Sequence, residues 1–396
     1  MRIFKSKIYW GVFILLLNCS SQTDVPPEIR STAETISADY IAEQIRMLSH
    51  DNLEGRGIGT RGGRAAAEYI RGQMKALDME PSFPGGGYFQ PVSLVNMRTI
   101  PDQSEFSFSP DGNTIQSQFA DDYIGIANCQ LNEIAFSGKP VFVGYGIHAP
   151  EYGWNDYKDL DCTGKILIGF MNEPPSDDDD FFDGERLTYY GRWSYKYEEG
   201  ARRGAKAVIL IHTDETAGYG WRVISNSNIS GRPLIDNEKH DNPVLDATYF
   251  ITGDLGSKIF SSAGLEFDAL FEKAAQPDFE PIELDTKLSL SLTSEKTAIA
   301  TQNVVAKITG SDPQLKNETV IFTAHYDHLG IGKPVNGDSI YNGANDNASG
   351  VAMMLAVAKA MSSLEQKPAR SIYFAAVGAE EALLLGSEYL AQHPPI

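Results

Sequence analysis

The sequence predicts an α/β protein, a mostly parallel sheet flanked by helices, interrupted by an inserted β-rich domain. Three observations carry this. Between 297 and 396, apolar strand-like runs alternate with helical periodicity, the pattern of strands joined by helices. Between 131 and 285, a strand–helix–strand series stands apart, with no cluster of histidines and carboxylates of its own. The 396 residues, 42% hydrophobic and 22% charged, suffice for two or three cores and exclude disordered and fibrous classes.

Residues 1–19 read as a targeting segment outside the fold. Arg2, Lys5 and Lys7 precede an apolar run, 11–17, that is too short to span a bilayer. The run leads into Leu16-Leu17-Asn18-Cys19 and resembles a bacterial lipoprotein signal, which implies lipidation at Cys19. A plain secretory signal is the alternative. Either places the mature protein outside the cytoplasm, lipid-anchored in a bacterial envelope or secreted, with membrane contact only through a lipid on Cys19. Residues 20–30 read as a tether. Cys129 and Cys162 fit no metal-ligand spacing, and a disulfide and two buried thiols both stay open.

In 31–130, Ser37 is placed to cap a helix carrying Ile41, Ile45 and Leu48 at helical spacing. A glycine-punctuated loop, 53–60, precedes a second helix with Ala66, Ile70, Met74 and Leu77 on one face. In 131–285, the runs 141–145, 165–170 and 206–211 read as strands. Trp193, Tyr197 and Ala201 mark a helix between the last two, with Gly204 at its C-terminal cap. The aromatic group around it, Tyr189, Tyr190 and Tyr195 included, reads as packing. The acidic run 177–180 reads as a solvated loop.

In 290–396, the runs 302–308 and 319–324 are β-rich, 349–361 is helical, and 370–377 is a strand leading to a helix near 380. His325 ends one strand, Glu380-Glu381 follow another, and Asp346 lies in the loop between. An open α/β sheet gathers ligands beyond the carboxyl ends of its strands. Histidine, aspartate and glutamate are the groups that hold zinc and activate its water. The net charge of -20 argues against a nucleic-acid partner, which would need clustered Lys and Arg.

These motifs, His325-Tyr326-Asp327, Asn345-Asp346-Asn347-Ala348-Ser349-Gly350 and Glu380-Glu381, together with the loop Leu53-Glu54-Gly55-Arg56-Gly57, resemble the di-zinc exopeptidases of metallopeptidase family twenty-eight. That family includes bacterial leucyl aminopeptidases and glutamate carboxypeptidases. The runs LDCTGKILIGF and KYEEGARRGAKAVILIH resemble the protease-associated domain inserted in several exopeptidases. The resemblance implies a zinc aminopeptidase acting on peptide substrates with two zinc ions. Asp346 would bridge the ions, with His325 on one and Glu381 on the other. Glu380 would be the general base, and Asp327 would accept the second ring N–H of His325. His328 reads as a packed or solvated neighbour. The alternatives are a carboxypeptidase or glutaminyl-cyclase type of member, or a receptor-like binding protein that has lost the metal. The family pattern also expects an aspartate and a histidine beyond Glu381. No aspartate follows Glu381, and His393 comes too soon. The expectation is therefore a chain truncated before its last ligands and inactive alone.

Overall fold

The computed structural model describes residues 27–110, 112–239 and 242–395. The expected signal segment and Cys19 lie outside the described residues. Pro27–Ala33, which begins in the expected tether, is helical. Among the described residues, no helix is long and apolar enough to cross a membrane.

Two sheets organise the chain. The first runs in the order Arg232–Ile235, Phe89–Thr99, Lys287–Ile308, Ser371–Val377, Thr319–His325. Its first three pairings are antiparallel, and Thr319–His325 alone runs parallel to its neighbour Ser371–Val377. The expected largely parallel sheet is thus corrected to one parallel pair. Strand–helix alternation reports a crossover, and the helix Ser349–Ser362 supplies one here. The antiparallel neighbours come from distant sequence, where alternation says nothing about direction.

The strand Lys287–Ile308 spans both sheets' surroundings and shows its two environments in its own residues. In its first half Leu288, Leu290 and Leu292 alternate with less buried serines, so one face is covered. In its second half Val304, Val305 and Ala306 are all buried, because helices cover one face and the segment after Val377 covers the other. Three helices supply the first cover. Ala38–Leu48 begins at Ser37, whose side chain accepts the N–H of Tyr40. Arg61–Ala76 begins at Thr60 and presents Ala66, Ile70 and Met74 to the core, as the spacing predicts. Ser349–Ser362 adds Val351 and Leu355. Each Ile or Leu so buried contributes about 1.5–3 kcal/mol.

The second sheet runs in the order Ile282–Glu283, Pro140–Phe142, Ile166–Phe170, Ala207–His212, Ala247–Thr252, Tyr123–Ile126. Its three central pairings are parallel and its two outer ones antiparallel. The parallel sheet therefore belongs to the segment read as β-rich, which is itself α/β. Helices such as Trp193–Arg202 and Gly253–Ser262 join its strands. Tyr123–Ile126, before the boundary expected at 131, is an edge strand of this sheet. Arg232–Ile235, inside the expected insert, pairs instead with Phe89–Thr99 of the first sheet. Tyr195 and Tyr197 are buried, and the acidic run 177–180 is exposed. Cys129 and Cys162 are both free thiols.

Candidate metal centre

His325 is the last residue of Thr319–His325 and pairs in register with Val377, the last residue of Ser371–Val377. Two parallel strands ending together send both following segments over one edge of the sheet. The helix expected near 380 starts later, as Leu385–Gln392. Residues 379–384 form a turn instead, with Ala379, Leu383 and Leu384 at positive φ. Gly386 closes this turn. A Cβ there would lie 1.8 Å from the carbonyl oxygen of Gly378. Asp346 sits just before Ser349–Ser362, whose start is fixed by Asn347 Oδ1 accepting the N–H of Gly350 at 2.9 Å.

The three expected ligands meet. His325 Nε2 lies 3.1 Å from Asp346 Oδ1, and one ligand atom each from His325, Asp346 and Glu381 falls within 4.8 Å of the others. Donors about 2.0–2.2 Å from a tetrahedral zinc stand roughly 3.3 Å apart, so this donor set fits the ion. Glu380 Oε2 is 3.7 Å from His325 Nε2. The Asp346 side chain is 59% exposed, which leaves the centre open on one side.

Asp327 is placed differently from the expectation. Its carboxylate stands 4.0 Å from His325 Nδ1, and the nearer acceptor to that nitrogen is the Asp327 carbonyl at 3.3 Å. The carboxylate instead accepts the backbone N–H of Glu380 at 3.1 Å and that of Glu381 at 3.2 Å. A buried carboxylate needs donors, and the turn at 379–381 offers two unpaired ones. Burial pushes the Asp327 carboxyl up to about 6, against the pull of those two N–H groups and of His325.

Two contributors escaped the sequence reading. His328, read as a neighbour, has its Nδ1 2.6 Å from Glu381 Oε1. Arg56 is fully buried and donates to four carbonyls, those of Tyr326 at 2.6 Å, Leu48 at 2.5 Å, Asn342 at 2.6 Å and Gly343 at 2.8 Å. Burial lowers its pKa to about 10, while the charges of Asp327, Asp346 and Glu381 oppose the shift, so it stays a cation at neutral pH. The Leu-Glu-Gly-Arg-Gly loop was visible in the sequence, but the burial of its arginine was not.

A cavity of about 550 Å³ opens over Glu380 and Glu381. Leu383 and Leu384 line it from one side of the chain, and Met171, Leu187, Trp193 and Tyr219 line it from the second sheet's unit. Met171 and Tyr219 follow the carboxyl ends of strands Ile166–Phe170 and Ala207–His212, so two sheets' ligand edges face one space.

A sheet edge that gathers a histidine, an aspartate and two glutamates beside an open cavity has the donor set and access of a metallohydrolase centre. Residues 303–396 match the family model "Peptidase family M28". A "Probable zinc metalloprotease" of Pyrenophora teres f. teres (strain 0-1) is 38% identical over 94 residues, 24% of this chain and 18% of that protein. "Aminopeptidase YwaD" of Bacillus subtilis (strain 168) is 25% identical over 304 residues, 76% of this chain and 48% of that protein. The chain thus spans half or less of the length of these curated relatives. Among solved structures, an aminopeptidase from Aneurinibacillus sp. strain AM-1 is similar over 92% of this chain and 68% of its own, at 21% identity and a TM-score of 0.45.

Proposed function

We propose that this chain carries the centre of a zinc-dependent exopeptidase that acts as an aminopeptidase on peptide substrates. One observation carries the reading: His325, Asp346 and Glu381 converge within 4.8 Å, with the carboxylate of Glu380 3.7 Å from His325. The family match over 303–396 and the relatives named as a zinc metalloprotease and an aminopeptidase support it. His325, Asp346 and Glu381 would hold the zinc, and Asp346, the most exposed of the three side chains, would be the one shared between two ions.

Zinc held by these residues would polarise the scissile carbonyl and bring the pKa of a water near 7. Glu380 Oε2 would take the proton of the attacking water and return it to the leaving amine as the C–N bond breaks. Asp327 would hold the backbone of Glu380 and Glu381, so that base and ligand keep one orientation. The cavity walled by Trp193 and Tyr219 would receive the end of the peptide and limit its access. The test is hydrolysis of aminoacyl p-nitroanilides by the full-length form of the protein, with and without a chelator, beside N-acetylated controls. Chelator-sensitive cleavage of the free amino substrates alone is expected. Cleavage that survives chelation would overturn the metal, and equal cleavage of acetylated substrates would overturn the aminopeptidase reading.

We also propose an extracytoplasmic location with a lipid on Cys19, on the grounds of the basic and apolar segment before it. Metabolic labelling with palmitate should mark the wild type and not Cys19→Ala; label on both would remove the proposal.

A further inference from the structure

We propose that Arg56 is a positioning residue of the metal centre, a buried cation that locks the loop after His325 to the loop before Asp346 and so sets the spacing of their ligand atoms. This rests on the metal-centre reading above.

The four bonds of the guanidinium reach three separate places in the chain. Nε donates to the carbonyl of Tyr326, one residue beyond His325. Nη1 donates to Asn342 and Nη2 to Gly343, the residues that lead into the Asp346 turn. Nη1 also reaches Leu48 at the end of Ala38–Leu48, which ties both loops to a helix. The backbone adds to the lock, because the Arg56 carbonyl accepts the N–H of His328 at 3.4 Å. His325 is one residue before Tyr326 and Asp346 three after Gly343, and the two ligands approach to 3.1 Å.

All four acceptors are neutral. A buried guanidinium with no carboxylate on it is costly unless its donors are satisfied. The planar fork of arginine can bond several carbonyls at fixed angles, which a lysine ammonium cannot reproduce. The local backbone is unusual in the same direction. Glu54, Gly55 and Arg56 have φ of 49°, 62° and 52°, three successive left-handed residues. Non-glycine residues hold that conformation only where their surroundings over-determine it, at about 1–3 kcal/mol each. A Cβ on Gly55 would lie 2.4 Å from the Tyr341 carbonyl oxygen and 2.5 Å from that of Gly330, so the loop is pressed against the hairpin of strands Gly330–Val335 and Asp338–Tyr341. The chain accepts this geometry, and its result is the placement of one guanidinium.

An arginine that merely anchored loops would change stability and leave zinc binding by the folded protein alone. A positioning residue changes both. The experiment is calorimetric titration of zinc into the metal-free whole chain, for wild type, Arg56→Lys and Arg56→Met, with circular dichroism to confirm folding. The expected result is zinc binding weakened about ten- to a hundred-fold in Arg56→Met, the range seen when groups supporting metal ligands are lost. Arg56→Lys should fall between, because it keeps the charge and loses the fork. A folded Arg56→Met that binds zinc as tightly as wild type overturns the inference while the metal centre stands. If both variants fail to fold, Arg56 is an anchor of the fold alone and the inference falls. Wild type that binds no zinc overturns the metal-centre reading itself.

Discussion

His328 Nδ1 lies 2.6 Å from Glu381 Oε1, so the carboxylate expected to bind metal is already held by a histidine from the neighbouring strand-end loop. Both side chains are largely buried, which makes the contact stronger than the same pair in water. His328 thereby engages one oxygen of a carboxylate that also lies beside His325 and Asp346.

His328→Ala should therefore weaken zinc binding about ten-fold or more, although His328 is assigned no bond to the metal. Competition with a chromogenic chelator reads the affinity, and a thermal melt shows whether the fold survives. Unchanged affinity would mean that the contact with Glu381 is dispensable.

Glu380 and Glu381 are adjacent in sequence and should fail differently. Glu380→Gln removes the base and keeps the ligands, so metal content should hold while turnover falls by about 10² or more. Glu381→Ala removes a ligand, so metal content itself should fall. Metal analysis beside the rate assay separates the two, and equal metal loss in both variants would reverse the assigned roles.

Leu355, fully buried between the helix Ser349–Ser362 and the sheet, tests the packing that positions Asp346. Leu355→Ala should destabilise the protein by about 2–5 kcal/mol, through lost burial and a residual cavity. Urea unfolding measures this. A loss below about 1 kcal/mol would show that the helix is not part of this core.

His212 offers a pH test away from the centre. Its ring packs against Tyr219 and Trp221, with centroids 5.4 and 5.7 Å away, and its Nε2 is buried without a partner. Burial lowers its pKa below the ordinary histidine value, with Asp214 opposing. The unfolded chain then binds the proton more readily than the folded one. The stability it contributes is complete above about pH 6.5 and is lost as the pH falls through and below that value. His212→Phe keeps a ring in the site and removes the proton, so its Tm should fall less than that of wild type between pH 7 and 5. Parallel Tm curves would show that His212 does not titrate in this range.

The helices with strong periodicity were legible because their signal is local. Ser37 caps as its hydroxyl allows, and Ala66, Ile70 and Met74 face the core as their spacing requires. The strands ending at His325 and Val377 were legible for the same reason, as short apolar runs with a polar stop. The late start of the last helix was not. Glu380 to Leu384 have helix-compatible side chains, but the turn they form is decided by the Asp327 carboxylate and by the approach of Gly386 to Gly378.

From the sequence alone came the candidates for the chemistry, His325, Asp346, Glu380 and Glu381, because residue type and position at a strand end are properties of the chain itself. Tertiary structure alone decided what holds them. Asp327 turned from the histidine ring to two backbone N–H groups, His328 became the partner of Glu381, and Arg56 became the buried link between two loops. It also decided strand direction, by pairing Lys287–Ile308 antiparallel with Phe89–Thr99, a strand far back in the chain. Burial and long-range hydrogen bonding arise only when distant segments meet, and no local pattern records which donor will find which acceptor.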